Sequence, residues 1–128
     1  MEILKSPDEL RHFLELARGT IGFVPTMGAL HDGHVSLFRK AKKDSDICIA
    51  SIYVNPTQFD DPQDLNRYPS AIQNDQELMR ANGVDSAFFP TYHQLYPDDY
   101  SYQVAESIFS KELCGKTRQG HFTGVLTV

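Results

Sequence analysis

Apolar residues near the start of the chain recur at the spacing of an amphipathic helix. They lie within residues 10–17, after a polar start in which Ser6 suits an N-cap, Pro7 suits the first helical position and Glu9 completes a capping box. Gly19 follows as a candidate residue for the helix stop. The pattern therefore predicts one helix ahead of the first predicted strand.

A βαβ unit is predicted next, because a helical pattern lies between two strand-like runs. Residues 21–25 are strand-like, and helical spacing continues after the following loop to about Lys43. Residues 47–54 are nearly all apolar and rich in β-branched side chains, as in a strand buried on both faces of a parallel sheet. The stretch 21–54 has the length of one crossover unit. The fold class predicted is therefore α/β with a parallel sheet.

The second half of the chain carries weaker patterns. The polar residues 60–69 include two prolines and predict an ordered loop. A second capping box that opens at Ser70 predicts a helix to Asn82, stopped by Gly83, and the core-like residues 84–90 predict a third strand. The remaining predictions are a turn region at 92–99, a short strand at 100–105, a short helix at 107–114, and an apolar element that begins at 120 and is cut at Val128.

Length and composition are those of an ordinary globular domain. Of the 128 residues, 41% are hydrophobic and 23% are charged. No apolar run approaches a membrane span, no secretory signal is evident, and Cys48 and Cys114 form no disulfide framework, so we expect a cytoplasmic location. The net charge of −5 argues against a nucleic-acid partner. A local basic cluster fits a solvated helix face and consists of Arg39, Lys40, Lys42 and Lys43.

Candidate chemistry is concentrated in the loop between the predicted strand 21–25 and the helix after it. Residues 26–34 read Thr-Met-Gly-Ala-Leu-His-Asp-Gly-His. Two glycines let the backbone approach a ligand, and His31 and His34 can direct ring N–H donors at phosphate oxygens. The N-terminus of the next helix adds backbone donors and partial positive charge. This arrangement predicts a nucleoside triphosphate site at the carboxyl edge of the sheet, where open α/β folds bind ligands.

Other interpretations of the two histidines stay open at this point. They could form half of a zinc site, although neither cysteine belongs to a Cys-x-x-Cys pair that would complete one. Either ring could instead only cap the helix. The spacing of the loop resembles the HIGH signature of adenylate-forming and nucleotidylyl-transferring enzymes, which favours nucleotide binding.

Four segments, taken in order, resemble the pantothenate synthetase (pantoate–β-alanine ligase) family. They are residues 24–34, Tyr-Val-Asn-Pro-Thr-Gln-Phe at 53–59, Tyr-Pro at 68–69 and Gly-His-Phe-Thr-Gly-Val at 120–125. The resemblance implies a Rossmann-like nucleotide-binding domain with flanking helices, of the HIGH-type nucleotidylyltransferase superfamily. It also implies a smaller C-terminal domain that is absent from this chain. Residues 1–128 would then be an incomplete N-terminal domain.

The resemblance further implies a reaction in two steps. In this family the carboxylate of pantoate attacks the α-phosphate of ATP, which gives pantoyl adenylate and pyrophosphate. The amine of β-alanine then attacks the adenylate, which gives pantothenate and AMP. Mg²⁺ accompanies the ATP, and no residue of this chain is predicted as a metal ligand. The family works as a cytoplasmic homodimer.

Matching positions supply the candidate site residues. His34 and His31 are expected to be catalytic, because donors at the phosphates stabilise developing charge. Gln58 matches a glutamine that meets both pantoate and β-alanine, and an amide can both donate and accept. The ATP-binding segment is Met27, Gly28, Ala29, Leu30, His31, Asp32, Gly33 and His34. Further substrate-binding candidates are Thr26, Asn55, Arg118 and His121, and Tyr53 and Phe59 are candidate apolar walls.

Part of the family's machinery would follow Val128. It comprises a Gly-Glu-Lys-Asp segment, a second pantoate-binding glutamine and a Ser-rich segment with an arginine. We therefore expect the 128-residue piece to have little activity alone, and its cut sheet edge to promote self-association. Two alternatives stay open, namely another adenylyl- or cytidylyltransferase with the same loop and a non-catalytic nucleotide-binding fragment.

Overall fold

Four parallel strands form one sheet in the computed structural model, which describes residues 1–69 and 71–128. The strands are β1 (Glu2–Leu4), β2 (Ile21–Thr26), β3 (Ile47–Ile52) and β4 (Ser86–Phe88), in the spatial order β1-β4-β3-β2. The helices are α1 (Pro7–Leu16), α2 (Asp32–Asp44), α3 (Pro62–Arg67), α4 (Ile72–Ala81), α5 (Tyr92–Leu95) and α6 (His121–Thr127). Short 3₁₀ turns cover Pro56–Gln58, Phe109–Lys111 and Leu113–Lys116. The predicted α/β class is confirmed.

The predicted βαβ unit is confirmed as β2–α2–β3. The two strands pair in parallel from Ile21 opposite Ile47 to Thr26 opposite Ile52. On its other side β3 pairs with β4, so it lies inside the sheet, and all of its residues after Ile47 are buried. Burial on both faces explains why this strand is apolar along its whole length.

The core lies between β3 and the helices that pack on the sheet. Phe38 of α2 and Met79 of α4 are fully buried against a cluster that includes Val24, Cys48, Ala50, Ile52, Val84 and Ala87. Because burial of a large apolar side chain stabilises by ~1.5–3 kcal/mol, these contacts hold both helices firmly on the sheet. Both α2 and α4 start at the edge of the sheet where the strands have their carboxyl ends.

The start of α1 is as predicted, except for one bond of its capping box. The Oγ of Ser6 accepts a hydrogen bond from the N–H of Glu9 at 3.2 Å. The carboxylate of Glu9 accepts from the N–H of Lys5 at 2.6 Å, not from that of Ser6. The helix ends at Leu16, and Gly19, with a φ of +99°, lies in the turn beyond it.

The helix predicted up to Asn82 is confirmed as α4. It ends at Ala81, and Gly83 follows with a φ of +78°, as expected of a helix stop. The capping box predicted to open at Ser70 lies outside the described residues. Ala71, at the N-cap position, supplies no side-chain hydrogen bond.

Several weakly patterned segments differ from their predictions. The strand β1 has no counterpart among the predicted elements, since three residues are too few to show alternation, yet Glu2 pairs opposite Ser86 of β4. The predicted loop 60–69 contains α3, which Asp61 caps by accepting from the N–H of Gln63 at 2.8 Å. The third predicted strand is confirmed but is limited to β4.

The prediction of a short strand at residues 100–105 is wrong. Val104 donates its N–H to the Oγ1 of Thr127 at 2.9 Å and not to a neighbouring strand, and the side chains of Tyr102 and Val104 are exposed. The turn region at 92–99 begins with the short helix α5, and the helix predicted at 107–114 consists of two 3₁₀ turns. The apolar element predicted from residue 120 is α6. No helix of the described residues is long and apolar enough to cross a membrane.

Candidate functional site

The loop after β2 turns sharply at the carboxyl edge of the sheet. The hydroxyl of Thr26 donates to the carbonyl of Ser51 at 2.8 Å and accepts from the N–H of Gly28 at 3.1 Å. Gly28 and Ala29 both have positive φ, at +81° and +51°, a conformation that is strained for alanine. A Cβ at Gly28 would also lie 3.0 Å from a carboxylate oxygen of Asp75, so only glycine fits there comfortably.

Asp75 holds this loop from a distant part of the sequence. Its side chain lies in α4 and is almost completely buried, at 3% exposure. One carboxylate oxygen accepts from the N–H of Ala29 at 3.0 Å, and the other accepts from the N–H of Leu30 at 2.8 Å. Both charged oxygens are therefore used to fix the loop. Asp75 could not be predicted from the sequence, because nothing in the chain marks a partner that lies 45 residues beyond the loop.

His31 and His34 cap the start of α2 through one ring nitrogen each. The Nδ1 of His31 accepts from the N–H of Gly33 at 3.1 Å, and the Nδ1 of His34 accepts from the N–H of His31 at 3.3 Å. The ring centroids are 4.2 Å apart. Because each Nδ1 accepts, a neutral ring must carry its proton on Nε2. Capping and phosphate binding are thus compatible, since each ring keeps an Nε2–H donor for a ligand.

The electrostatics of the pair favour a neutral His34. Burial is the main cause that lowers the pKa of His34, the neighbouring His31 lowers the pKa further, and the carboxylate of Asp75 acts in the opposite direction. The N–H of Gly33 is already bound to the ring of His31, so this backbone group is not free for an anion. Of the two sets of donors predicted for this loop, the ring Nε2–H groups therefore remain available, whereas the N–H of Gly33 does not.

A first cavity, of about 470 Å³, opens at the carboxyl ends of β2, β3 and β4. His34 and Gln58 both line it, together with Thr26 and Met27. Most of its remaining wall is apolar and includes Phe23, Pro25, Tyr53, Phe88, Leu95 and Val125. The structure thus brings one ring of the histidine loop and the candidate glutamine to the same space.

Asn55 fixes the side chain of Gln58. Its amide Nδ2 donates to the Oε1 of Gln58 at 3.1 Å, so the Nε2 of Gln58 is left to donate elsewhere. Its Oδ1 accepts from the hydroxyls of Thr57 and Tyr96, at 2.9 and 3.2 Å. Asn55 is predicted to bind substrate, but it is fully buried and its amide is occupied within the chain. In this structure its side chain positions that of Gln58, and substrate binding by Asn55 stays a prediction.

The helix α6 holds the backbone around Gln58. The Nδ1 of His121 lies 2.8 Å from the carbonyl oxygen of Gln58. Because a carbonyl can only accept, His121 carries its proton on Nδ1, and the Nε2 of the neutral ring is an acceptor. Gly124 packs directly on the turn Pro56–Gln58, where a Cβ would collide with the carbonyl of Thr57 and lie 2.9 Å from the N–H nitrogen of Gln58. This contact explains the second glycine, Gly124, of the segment 120–125.

A second cavity, of about 260 Å³, adjoins the first through Met27, Gln58 and Tyr68, which line both. Two predicted substrate residues, Arg118 and His121, line it. The helix α3 contributes Asp64 and Arg67, which no sequence motif marks. Phe59 also lines it and meets Tyr68 edge to face, with centroids 5.6 Å apart.

A third cavity, of about 220 Å³, lies beside the loop and is lined by Gly28 and Asp75. The other residues of the predicted ATP segment are placed at the loop and at the first turn of α2. His31, Asp32 and Gly33 are exposed there. Within residues 1–69 and 71–128, no group of three or more His, Cys, Asp or Glu side chains is arranged to hold a metal ion.

Tyr53 lines the first cavity, and its hydroxyl group places a polar atom in this largely apolar wall. Its hydroxyl is enclosed and has no hydrogen-bond partner among the described residues. Burial, followed by the nearby Tyr96 and Tyr92, raises the pKa of Tyr53 to about 12. The ring therefore stays protonated and uncharged at any ordinary pH.

A parallel sheet with flanking helices and a histidine loop at its carboxyl edge defines an α/β protein of the nucleotidylyltransferase type. A sequence profile of the Pantoate-beta-alanine ligase family matches residues 2–128. The chain belongs to this family.

Individual relatives with similar sequences support the same family assignment. A pantothenate synthetase of Bdellovibrio bacteriovorus is 49% identical over 127 residues, which are 99% of this chain and 51% of that protein. One from Thermotoga petrophila is 47% identical over an alignment 131 residues long, which covers 100% of this chain and 47% of that protein. The chain thus spans about half the length of these relatives.

Solved structures with a similar fold also come from this family. A crystal structure of the pantoate-beta-alanine ligase of Francisella tularensis, complexed with beta-gamma ATP and beta-alanine, superposes with a TM-score of 0.95 at 41% identity. The superposition covers 99% of this chain and 50% of that one. A pantothenate synthetase from Thermus thermophilus matches with a TM-score of 0.87 at 37% identity, over 98% of this chain and 45% of that one.

Proposed function

We propose that this chain forms the nucleotide-binding half of an enzyme that joins pantoate to β-alanine with ATP. The observation that carries the proposal is that His34 and Gln58 line one cavity at the carboxyl edge of the sheet. The family match and the Francisella tularensis ligase, which was crystallised with beta-gamma ATP and beta-alanine, support the same assignment. The products are pantothenate, AMP and pyrophosphate.

In the first step the carboxylate of pantoate attacks the α-phosphorus of ATP, and the bond from that phosphorus to the bridging oxygen of pyrophosphate breaks. Negative charge grows on the α-phosphate and on the departing pyrophosphate. The Nε2–H groups of His31 and His34 are fixed by the capping bonds and donate to these oxygens. Each preorganised donor of this kind contributes ~3–4 kcal/mol to transition-state stabilisation in comparable sites. Neutral donors are sufficient, because pyrophosphate leaves without being protonated by the enzyme.

Gln58 and the apolar wall hold the acid to be activated. The Nε2 of Gln58 donates to the hydroxyl or carboxylate oxygens of pantoate, since its Oε1 is held by Asn55. Pro25, Tyr53 and Phe88 supply apolar surface for the dimethyl carbon and displace water from the acyl adenylate. Gln58 lines both cavities and therefore stays beside the acyl carbon when the amine arrives.

We propose ATP as the nucleotide and Mg²⁺ as its companion. The metal would be held by the triphosphate oxygens and would neutralise their charge, and we derive no step from it. We also propose a cytoplasmic homodimer, as in the family that the sequence resembles. The thiols of Cys48 and Cys114 are free, in keeping with a reducing compartment.

Coupled turnover of the complete gene product tests the proposed reaction. Conversion of ATP to AMP should require both pantoate and β-alanine, and pantothenate should appear in equal amount. AMP formation that ignores pantoate would overturn the proposal in favour of another nucleotidylyltransferase. Calorimetry that shows no binding of ATP would indicate a non-catalytic module instead.

A further inference from the structure

The tyrosine that follows α5 contacts the turn that carries Gln58. The side chain of Tyr96 is almost completely buried, at 4% exposure. Its hydroxyl lies 3.2 Å from the Oδ1 of Asn55, a residue 41 positions earlier in the chain. Because an amide oxygen can only accept, the hydroxyl of Tyr96 is the donor. The proposed first step assigns no role to this contact.

Two backbone groups determine which way the amide of Asn55 points. The N–H of Thr57 can only donate, and it lies 3.3 Å from the Oδ1 of Asn55. The carbonyl of Gly124 can only accept, and it lies 3.4 Å from the Nδ2. A reversed amide would place its NH₂ group against the N–H and its oxygen against the carbonyl. The Nδ2 of Asn55 is therefore fixed as the donor to Gln58.

A series of hydrogen bonds thus runs from Tyr96 through Asn55 to Gln58. The hydroxyl donates to the oxygen of the first amide, and the nitrogen of that amide donates to the Oε1 of Gln58 at 3.1 Å. Hydrogen bonds in such a series polarise and strengthen one another. With its oxygen held, Gln58 keeps its Nε2–H donors for a ligand in the first cavity, which it lines.

Tyr96 ties this series to a separate element. The other hydroxyl on the Oδ1 of Asn55 belongs to Thr57, at 2.9 Å, and Thr57 is part of the same turn. A contact within the turn moves with the turn, whereas Tyr96 joins Asn55 to α5. The ring of Tyr96 is held edge to face by Tyr92 and Tyr100, with centroids 5.1 and 5.0 Å away. Its hydroxyl therefore gives the amide a fixed partner.

The hydroxyl of Tyr96 can act on a substrate only through other residues. In the part of the chain that the structure describes, its neighbour Leu95 lines the first cavity, whereas Tyr96 lines none of the three cavities given above. Asn55, its partner, is fully buried as well. The first member of the series that reaches a cavity is Gln58.

We propose that Tyr96 is a positioning residue for the acid substrate, whose hydroxyl holds Asn55 and thereby orients the Nε2–H donors of Gln58 toward pantoate. This assignment rests on the proposed function. A Gln58 amide that turned over would present its oxygen to the carboxylate of pantoate and repel it. The bond from Tyr96 opposes that rotation. Its effect therefore falls on pantoate and not on ATP, which the histidine loop binds.

Tyr96→Phe in the complete gene product tests the assignment. The variant keeps the ring contacts, and Thr57 still donates to Asn55, so no buried polar group loses its last partner. Pantoate-dependent exchange of pyrophosphate into ATP reports the first step. We expect the KM for pantoate to rise by about ten-fold, the effect of one lost hydrogen bond. The KM for ATP should stay unchanged, and the melting temperature should fall by at most a few degrees.

Tyr92→Phe is the matched control. It removes a hydroxyl from α5 that donates to a carboxylate oxygen of Asp99 at 3.2 Å and has no bond to Asn55. The same kind of atom is thus lost from a neighbouring ring of the same aromatic cluster. The KM for pantoate and the KM for ATP should both stay at the values of the unmodified enzyme.

Combining Tyr96→Phe with Gln58→Ala shows whether Tyr96 acts through Gln58. The quantity compared is kcat/KM for pantoate, which can be measured without saturating the enzyme. Once the amide of Gln58 is gone, loss of the hydroxyl should lower kcat/KM by less than about two-fold further. If Tyr96 only supported the general structure of the site, the two losses would multiply instead.

Several results would overturn the positioning role. They are an unchanged KM for pantoate in Tyr96→Phe, equal increases in the KM for pantoate and for ATP, and losses that multiply in the double variant. A Tyr96→Phe protein that no longer folds would show that the hydroxyl supports the whole structure, which also overturns the role. Absence of pantoate-dependent exchange in the unmodified enzyme would instead overturn the proposed function, and this assignment with it.

Discussion

At the scale of single residues, the site depends on which ring nitrogen carries the proton. The Nδ1 atoms of His31 and His34 accept from backbone N–H groups, whereas the Nδ1 of His121 donates to a carbonyl. The neutral rings of His31 and His34 therefore keep a donor at Nε2, whereas the neutral ring of His121 keeps an acceptor there. Three hydrogen bonds to backbone groups, not differences in amino-acid type, assign these roles.

His34→Asn separates the capping role of this residue from its role as a phosphate donor. The asparagine Oδ1 can still accept from the N–H of His31, but the Nε2–H is lost. We expect the rate of pantoate-dependent pyrophosphate exchange to fall by about 100- to 1,000-fold, because one preorganised donor is removed. The melting temperature should hardly change. His12→Asn, an exposed histidine of α1, serves as the control. A large loss of stability with little loss of exchange would identify His34 as a cap only.

The stability of the protein should depend on pH through His34. Its pKa is lowered in the folded state, chiefly by burial and then by His31. The unfolded chain therefore binds more protons between the lowered pKa and the ordinary value of about 6.5. The free energy of unfolding should therefore rise with pH through this window and level off above it. Below the lowered pKa, His34 is protonated in both states, and the protein carries the full cost of a charged, partly buried imidazole.

Thermal melts between pH 5 and 8 check this linkage, with His34→Asn as the matched variant. The unmodified protein should lose more stability on acidification than the variant, and the two curves should run parallel above about pH 7. Protonation also places a hydrogen on Nδ1 opposite the N–H of His31, so exchange activity should fall in the same window. Identical pH slopes in both proteins would contradict the prediction.

At the scale of elements, the loop after β2 is shaped by a helix that follows much later in the chain. Asp75 of α4 accepts hydrogen bonds from the N–H groups of Ala29 and Leu30, and its carboxylate packs closely on the Cα of Gly28. These bonds offset the strain of Ala29 at its positive φ. The packing of α4 on the sheet through Met79 therefore helps to hold the loop in its observed conformation.

Asp75→Asn should damage the loop while leaving the fold intact. An amide side chain can accept only through its oxygen, so one of the two loop N–H groups is left facing an NH₂ group. We expect a loss of ~1–3 kcal/mol in the free energy of unfolding, measured with urea, together with a raised KM for ATP. Glu77→Gln removes the same charge from an exposed position of α4 and should leave both quantities unchanged. Equal effects of the two variants would show that net charge, and not the loop bonds, matters.

The elements also show what sequence patterns can and cannot predict. The unit β2–α2–β3 was predictable because its apolar spacing extends over many residues, and the apolar positions are those that are buried in the fold. The strand β1 and the helix α3 were not, since each is too short for a period and each depends on partners elsewhere, such as β4 for Glu2. The strand predicted at 100–105 failed because Val104 satisfies its N–H with the side chain of Thr127.

At the scale of the whole molecule, three distant segments meet at one edge of the sheet. The loop motif named His31 and His34, and the resemblance to the family named Gln58, since these residue types and their order are visible in the sequence. The bonds from Asn55 and His121 to Gln58 could not be read there, because they depend on how α6 packs on the turn Pro56–Gln58. The sequence therefore names candidate reactive groups, and only the fold shows their tautomers and the residues that hold them.

The shared edge predicts how ligands stabilise the complete gene product. A ligand present at about 100 times its Kd raises the free energy of unfolding by about 2.7 kcal/mol. A non-hydrolysable mimic of pantoyl adenylate spans the histidine loop and the first cavity at once, so it loses translational freedom only once. At equal concentration it should raise the melting temperature more than ATP and pantoate added together. Gln58→Ala should reduce the shift caused by pantoate and by the mimic but not the shift caused by ATP. A mimic that stabilises no better than ATP would mean that the two subsites are not continuous.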